Sequence, residues 1–336
     1  MVNNVSPLPL SYKAIGRVMD VAPMRIYAAA LNKASVIERV RARAPTYWCY
    51  LRDKPSWLVM FLFARILLAR RIERWLNRAA YREALPAPES LLSGVDLNRV
   101  VGEIITHGVS VGLQLPTPIV REIVDFAQST PCFSRDRQQQ GFLPTDVTEV
   151  NRTRDRDVVA GYYFDAVEKS PAIVQLSKDA VLINIARAYI GNEPILIRIR
   201  LWWNFPAIRV SDADLHANAQ ERFHFDMNGW RTLKFFFYLT PTNDRGGAHR
   251  CIVGSHKRRP IRHQLTPLVG RATDELEASF GKDRFLTIMG DAGLGFAEEP
   301  FVFHTGSLCK DQPRLILELE YGSSTVSPNY RYGRFG

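Results

Sequence analysis

A histidine and an aspartate, His224 and Asp226, lie two positions apart in the aromatic segment ERFHFDMNGWRTLKFFFYLTP at residues 221–241. Side chains of an extended segment alternate between two faces, so the imidazole and the carboxylate share one face while Phe223 and Phe225 share the other. Such a pair is either a hydrogen-bonded couple at the edge of a sheet or two of the three ligands of a metal ion. The metal interpretation requires a third ligand elsewhere in the chain.

His304 is the best candidate for that third ligand among the seven histidines. It ends the apolar segment EPFVFHTG, and the turn that follows would let its ring face the mouth of a barrel. Arg314 comes ten residues later and opens the segment RLILELEYG, so a hairpin would bring it close to His304. A guanidinium there could hold a carboxylate through two parallel hydrogen bonds. The remaining histidines lie in less suitable places: His107, His216, His249, His256 and His263.

Two imidazoles and one carboxylate on one face of an octahedral ion leave three coordination positions open. This arrangement is typical of non-haem Fe(II) oxygenases, and three open positions suit a bidentate cosubstrate together with dioxygen. The residue types therefore favour an oxygenase. A satisfied polar pair is the alternative for His224 and Asp226 taken alone.

The ordered set of these residues resembles a known family. His224-Phe225-Asp226, His304 and Arg314 match the HxD…H…R pattern of Fe(II)/2-oxoglutarate oxygenases, and the surroundings resemble the phytanoyl-CoA dioxygenase-like branch. GGAHRCIVGSHKR is similar to that branch's NG-x-L-x-x-x-PGSH segment, GDAGLGFAEEPFVFHTG to its GD-x-x-x-F…H strand pair, and SKDAVLINIARAYIGNEP to its helix before the barrel. The resemblance runs from about residue 95 to the C-terminus.

The resemblance implies a role for each residue. His224, Asp226 and His304 would bind Fe(II), 2-oxoglutarate would chelate the metal while Arg314 pairs with its distal carboxylate, and O2 would take the remaining position. It also implies hydroxylation of an unactivated C–H bond of a small-molecule or acyl/lipid-like substrate, with release of succinate and CO2. Related halogenases carry glycine or alanine in place of the aspartate, so Asp226 favours hydroxylation.

Two functions of other classes are the alternatives. A non-catalytic binding protein could keep the same jelly-roll barrel, although all four site residues are intact in this chain. A nucleic-acid-associated protein could act through a basic N-terminus. The sequence contains no nucleic-acid recognition motif, so specific nucleic-acid binding is not expected.

The elements that would position the site begin at about residue 93. Ser170 and Pro171 predict the start of a helix, and Gly191 with Pro194 predicts its end. The segment ILIRIRLWW then alternates apolar residues with two arginines, and further short strand-like segments follow with few helices between them. This succession predicts antiparallel strands in a sandwich or barrel.

We therefore expect an α+β fold with a double-stranded β-helix (jelly-roll or cupin-like) core and flanking helices. This oxygenase domain would comprise residues 91–336. A basic, mainly helical N-terminal extension at residues 1–90 would precede it, separated by the helix-breaking segment LPAPES.

The net charge of +10 is concentrated in the N-terminal quarter. Residues 1–84 hold 15 Lys+Arg and 5 Asp+Glu, whereas the remaining 252 residues hold 29 of each. Such a segment can contact nucleic acid, anionic lipid or an acidic partner. Surface solubility alone explains it equally well.

A single helix over residues 57–78 would carry two stripes. One stripe is apolar and the other consists of arginines: Trp57, Phe61, Ala64, Leu68, Ile72 and Trp75 against Arg70, Arg74 and Arg78. A helix docked on the catalytic body is favoured over a basic amphipathic helix on a membrane surface. Peripheral membrane contact through residues 57–78 is the alternative.

Composition bounds the remaining expectations. A length of 336 residues with 46% hydrophobic residues suffices for a large core. No apolar stretch follows the first methionine, and the four cysteines form no CxxC pair: Cys49, Cys132, Cys251 and Cys309. We expect a cytoplasmic protein that acts on a small molecule.

Three further sets of residues could lie near the candidate site. Trp202, Trp203 and Trp230 could line a substrate pocket or belong to the core. Lys257, Arg258 and Arg259 are expected in a solvated loop that could receive an acidic substrate. Lys234 has no assigned role.

Overall fold

Two antiparallel β-sheets form the centre of the chain in the computed structural model, which describes residues 48, 51–52, 55–76, 90–265 and 270–324. The strands are β1 (Val109–Gln114), β2 (Cys132–Phe133), β3 (Gly141–Phe142), β4 (Ala160–Tyr163), β5 (Ile195–Asn204), β6 (Thr232–Tyr238), β7 (His249–Ile252), β8 (Phe285–Ile288), β9 (Leu294–Glu298), β10 (His304–Gly306) and β11 (Arg314–Gly322).

Helices flank the sheets on the outside. They are α1 (Ser56–Phe63), α2 (Leu67–Leu76), α3 (Leu97–His107), α4 (Thr117–Ser129), α5 (Val147–Arg152), α6 (Pro171–Leu176), α7 (Ala180–Ile190), α8 (Asp212–Ala217), α9 (Ile261–Leu265) and α10 (Thr273–Phe280). Short 3-10 turns lie at Pro144–Asp146, Asp165–Lys169 and Lys282–Arg284.

The larger sheet has the order β1-β9-β6-β11-β5-β4-β2-β3, and the smaller sheet has the order β10-β7-β8. Strand β11 lies between β5 and β6, and its register places Arg314 opposite Asn204 and Glu318 opposite Arg200. All nine residues of β11 are buried. Successive side chains of a strand point to opposite faces, so β11 presents one set of side chains to each of its two buried environments.

One face of the larger sheet packs against helices. Leu315, Leu317 and Leu319 of β11 lie in an apolar cluster that also includes Ile104 of α3 and Ile185 of α7. Burial of each such side chain contributes about 1.5–3 kcal/mol relative to exposure. This cluster holds the helices on the outside of the barrel.

The opposite face of the larger sheet points towards the smaller sheet. Ile316 of β11, Phe236 of β6 and Phe296 of β9 pack there with Cys251 of β7 and Ile288 of β8. The two facing antiparallel sheets confirm the predicted α+β fold with a double-stranded β-helix core and flanking helices. The segments that carry the candidate site residues meet at this inner face.

The helix predicted between Ser170 and Pro194 is two helices. α6 begins at Pro171 with Ser170 as its N-cap, and α7 begins after a second N-cap, Asp179, whose carboxylate accepts hydrogen bonds from the first turn of α7. Gly191 ends α7 with a φ of 80°, a conformation that glycine adopts without strain. The Asp179 side chain competes with helix continuation and explains the break.

The helix predicted over residues 57–78 is also divided. α1 and α2 are separated by residues 64–66, and the structure describes this region only as far as residue 76. α1 packs Trp57 and Met60 against Trp230 of the barrel domain. Contact with the body agrees with the docked interpretation.

α2 contacts the body by the face opposite to the expected one. Arg70 is buried, whereas Leu68, Ile72 and Trp75 of the apolar stripe are exposed. The prediction that the apolar stripe covers the body is therefore wrong for α2, because two arginines of α2 contact a buried acidic residue of the body. No helix in the described part of the chain is both long enough and apolar enough to cross a bilayer.

Candidate metal centre

His224, Asp226 and His304 converge at one end of the barrel. Their potential ligand atoms all lie within 4.8 Å of one another, and Nε2 of His304 lies 3.9 Å from Oδ2 of Asp226. Backbone hydrogen bonds in both directions join residues 224 and 304, at 2.9 and 2.8 Å. The expected alternation also holds, since Phe223 and Phe225 turn away into a separate apolar cluster.

Both histidines are oriented by the backbone. Nδ1 of His224 lies 3.2 Å from the carbonyl oxygen of Arg222, and Nδ1 of His304 lies 2.9 Å from that of Val302. If each Nδ1 carries the proton and donates it, each Nε2 keeps its lone pair for a metal. Burial lowers the pKa of His304 to about 4, partly opposed by Glu298, so its ring is neutral at pH 7. A neutral imidazole is the form that binds metals.

Lys234, which had no predicted role, holds Asp226. The Lys234 ammonium donates to Oδ2 of Asp226 and lies 3.7 Å from Glu318. Burial alone would raise the pKa of Asp226, but Lys234 and the two imidazoles outweigh it and hold that pKa well below its usual range. Asp226 is therefore an anion at neutral pH.

A second layer of side chains lies behind His304. Nε2 of His249 lies 3.0 Å from Glu298, whose other carboxylate oxygen lies 3.4 Å from Nδ1 of His304. The rings of His249 and His304 stack at 5.6 Å between centroids. Burial lowers the pKa of His249 to about 3, so this histidine is neutral and takes no part in an ordinary ion pair. His249 supports the site from behind, closer to it than its place in the sequence indicated.

Arg314 lies inside the barrel at the start of β11 and is buried. It donates to the carbonyl oxygen of Gly247 and, at 2.5 Å, to Oδ1 of Asn204. Its Nε has no hydrogen-bond partner, and within the described part of the chain no carboxylate lies at ion-pair distance from it. A buried cation without an anion is unfavourable. Arg314 is thus prepared to receive an anionic group.

Gly306 connects this arginine with the metal ligands. A Cβ atom placed on Gly306 would lie 3.6 Å from a guanidinium nitrogen of Arg314. Gly306 follows His304 by two residues in β10, and a strand rises about 3.3 Å per residue. Gly306, which lies beside the guanidinium, is therefore roughly 7 Å along the strand from His304. Arg314 therefore lies near the strand of His304 as predicted, but the predicted hairpin was wrong, because β10 pairs with β7 of the smaller sheet whereas β11 pairs with β5 and β6 of the larger sheet.

The inner face of the larger sheet also carries a buried charged cluster. Arg198 contacts Glu318 and Glu320, each at 3.0 Å, and Arg200 contacts Glu318. Burial would raise the pKa of Glu318, but Arg200, Lys234 and Arg198 lower it instead. The two arginines of β5 thus face the barrel interior, where each cation has an acidic partner.

Of the three tryptophans, Trp202 alone lies on this inner face. It stacks on Tyr162 at 6.4 Å between centroids, and Arg200 lies over its ring at 4.9 Å. Trp203 packs in the outer apolar cluster and Trp230 packs against α1. Only Trp202 is placed to contact a molecule inside the barrel.

The basic loop after β7 is only partly solvated. Lys257 and Arg258 are exposed as expected, but Arg259 is buried. Its guanidinium lies over the rings of Phe301 and Phe225, at 3.8 and 4.1 Å, and donates to the carbonyl oxygen of Phe301. Aromatic faces attract a cation, although burial and the nearby Arg70 still lower the pKa of Arg259. The expectation of a solvated loop was wrong for Arg259.

Comparisons with known proteins give structural likenesses alone. No family model matches the sequence, and no curated protein matches it. Among solved structures, the epimerase SnoN in complex with Fe3+, alpha ketoglutarate and nogalamycin RO is 14% identical, with a TM-score of 0.46 over 67% of this chain and 83% of that chain.

Two further solved structures are similar to this chain to the same degree. EctD from S. alaskensis with bound Fe is 14% identical, with a TM-score of 0.45 over 77% of this chain and 94% of that chain. HygX from Streptomyces hygroscopicus with nickel and 2-oxoglutarate bound is 13% identical, with a TM-score of 0.44 over 67% of this chain and 86% of that chain. Similarity of this extent does not assign the chain to a family.

Proposed function

We propose that the protein is a non-haem Fe(II)/2-oxoglutarate-dependent oxygenase. The observation that carries this proposal is the convergence of His224, Asp226 and His304 beside the unpaired cation of Arg314. The metal ligands and the anion site belong to one end of one barrel. The resemblance of the sequence to phytanoyl-CoA dioxygenase-like proteins supports the same proposal.

The donor set fits Fe(II). Two imidazoles and one carboxylate whose ligand atoms lie close together form the set that non-haem Fe(II) oxygenases use. The backbone carbonyls behind both rings fix their orientation, and such outer contacts are known to strengthen metal binding. Lys234 would retain its contact with the carboxylate group of Asp226 and hold it towards the two rings.

Arg314 fits the distal carboxylate of 2-oxoglutarate. The guanidinium has its Nε unpaired, and the Asn204 amide fixes its other side. A carboxylate would satisfy the buried charge with charge-assisted hydrogen bonds. The roughly 7 Å between His304 and Gly306 along β10 is of the order of the length of a short diacid.

Fe(II) would supply the redox chemistry with O2 that no side chain can supply. In the overall reaction, 2-oxoglutarate, O2 and a C–H bond give succinate, CO2 and a hydroxyl group, with one oxygen atom in succinate and one in the product. The residues of this chain would bind and orient the reactants, and the burial of His304 keeps that imidazole neutral. The substrate would be a small molecule or acyl/lipid-like compound.

The first test follows succinate and the product together. The purified protein is supplied with Fe(II), 2-oxoglutarate and O2, with a panel of fatty-acyl, amino-acid and natural-product candidates, and succinate is measured by mass spectrometry. Fe(II)-dependent succinate is expected, and a product heavier by one oxygen atom would indicate hydroxylation. A protein that binds neither Fe(II) nor 2-oxoglutarate would contradict the proposal and favour a non-catalytic barrel.

A further inference from the structure

The outward faces of α1 and α2 form an exposed apolar surface. Eight large apolar side chains there are between 38% and 69% exposed: Leu58, Val59, Leu62, Phe63, Leu68, Ile72, Trp75 and Leu76. They account for more than half of the exposed large apolar residues in the described part of the chain. Contiguous exposed apolar surface of this kind indicates an interaction site.

Contacts with the body of the protein fix the orientation of α2. Arg70 donates to Glu299 at 2.7 Å, and Arg74 lies 3.3 Å from the same carboxylate and 3.0 Å from the hydroxyl of Tyr189. Arg70 also lies over the Phe301 ring at 4.1 Å. The polar side of the helix therefore faces the body, and the apolar side faces outwards. In water alone, the reverse orientation would be expected of an amphipathic helix.

The surface continues onto α9. The backbone N–H of Leu67 donates to the side chain of Gln264 at 2.9 Å, which joins the start of α2 to α9. Ile261 and Leu265 of α9 are 70% and 61% exposed. The apolar surface thus extends from the N-terminal helices to the barrel domain and is built from both.

Basic residues lie on the same elements as this apolar surface. Arg71 is on α2, Arg262 is on α9 and Lys257 and Arg258 precede α9, and all four are exposed. Burial together with the nearby charges of Arg74 and Arg71 lowers the pKa of Lys257. An anion beside these cations would relieve their repulsion. The net charge of +10 in residues 1–84 adds an attraction of the same sign.

We propose that this surface docks the protein on an anionic lipid bilayer. Leucine, phenylalanine and tryptophan side chains on the outward faces of two short helices suit the boundary between acyl chains and headgroups. The nearby arginines and lysines suit anionic headgroups. The helices lie on the bilayer and do not span it. This proposal does not depend on the oxygenase assignment, because it concerns residues outside the metal centre.

The test is sedimentation of the full-length protein with vesicles. Binding is expected to vesicles of phosphatidylcholine with phosphatidylserine, much less to phosphatidylcholine alone, and less still as salt rises. The triple variant Leu68→Ser/Trp75→Ser/Leu76→Ser should bind at least about tenfold more weakly. Ile208→Ser is the matched control, because Ile208 is 93% exposed and lies outside this surface.

A charge variant gives an independent arm. Lys257→Glu/Arg258→Glu should weaken binding to the anionic vesicles and reduce its dependence on salt, and since both residues are exposed, the fold should be unchanged in a thermal melt. Absence of sedimentation by the wild type would overturn the proposal. So would equal sedimentation of the wild type and the triple variant, or a wild-type dimer that the triple variant converts to a monomer.

Discussion

Arg70 of the N-terminal helices donates to Glu299 of the barrel at 2.7 Å, and Glu299 lies in the short connection that leads from β9 to the candidate ligand His304 at the start of β10. Pro300, the next residue, accepts the backbone hydrogen bond of Asp226 at 2.8 Å. The N-terminal helices and the candidate metal centre are therefore supported by one segment of chain. Changes at Glu299 should affect both.

Glu299→Gln should destabilise the protein at neutral pH. Burial alone would raise the pKa of Glu299, but His256, Arg70, Arg74 and the Tyr189 hydroxyl lower it from 4.5 to about 2. A lowering of that size corresponds to about 3 kcal/mol of stability. Chemical denaturation of the wild type and the variant at pH 7 measures the difference, with Glu277→Gln as the control, because this half-buried carboxylate of α10 contacts the exposed Lys282.

The same pair of proteins has a defined pH dependence. A carboxyl group with a lowered folded pKa stabilises the protein fully above its unfolded pKa of about 4.5, and this contribution is lost as the pH falls towards 2. The stability difference between wild type and Glu299→Gln should therefore shrink between pH 4.5 and pH 2. A difference that stays constant over this range would contradict the assigned network.

Lys234→Met should make the protein more dependent on its metal. The variant leaves Asp226 without its buried cationic partner, whereas Glu318 keeps Arg198 and Arg200, and breaking a buried ion pair costs about 3–5 kcal/mol. A metal ion bound to Asp226 would compensate part of this loss. The rise in melting temperature on adding Fe(II) should thus be larger for Lys234→Met than for the wild type, and an equal or smaller rise would show that Lys234 does not neutralise the ligand.

Arg314→Lys should weaken the use of 2-oxoglutarate while iron binding stays near the wild-type value. A lysine replaces two parallel hydrogen bonds by a point contact, and we expect the KM for 2-oxoglutarate to rise about tenfold or more. Arg245→Lys, at an exposed ion pair with Asp311, is the control. An unchanged KM would mean that another cation holds the cosubstrate.

The sequence sufficed for the fold class and for the residues that meet at the centre. Alternation in RLILELEYG and ILIRIRLWW predicted the strands that became β11 and β5, and the order of His224, Asp226, His304 and Arg314 predicted their convergence. These predictions rest on local patterns and on family-like spacings. They do not require knowledge of which distant residues contact each other. Lys234 and Asn204 were missed because their roles depend on strand register, which places them beside Asp226 and Arg314.

Which face of an element meets water could not be predicted. Alternation separates the arginines of β5 from its apolar residues, but it does not show that Arg198 faces a buried glutamate in the barrel interior. The same ambiguity explains α2, where the arginine face is buried because Glu299 lies beneath it. Acidic residues that are distant in sequence reverse the usual orientation of these two elements. A local sequence pattern contains no information about such distant partners.

Succinate formation by Asp226→Ala tests the central claim most directly. Loss of an outer contact alone typically costs 10- to 100-fold, so loss of a ligand should lower Fe(II)-dependent succinate formation by at least about a hundredfold. Asp311→Ala, which removes an exposed carboxylate, should keep wild-type activity, and matching thermal melts should show that both variants are folded. Wild-type succinate formation by Asp226→Ala would contradict the proposed iron centre.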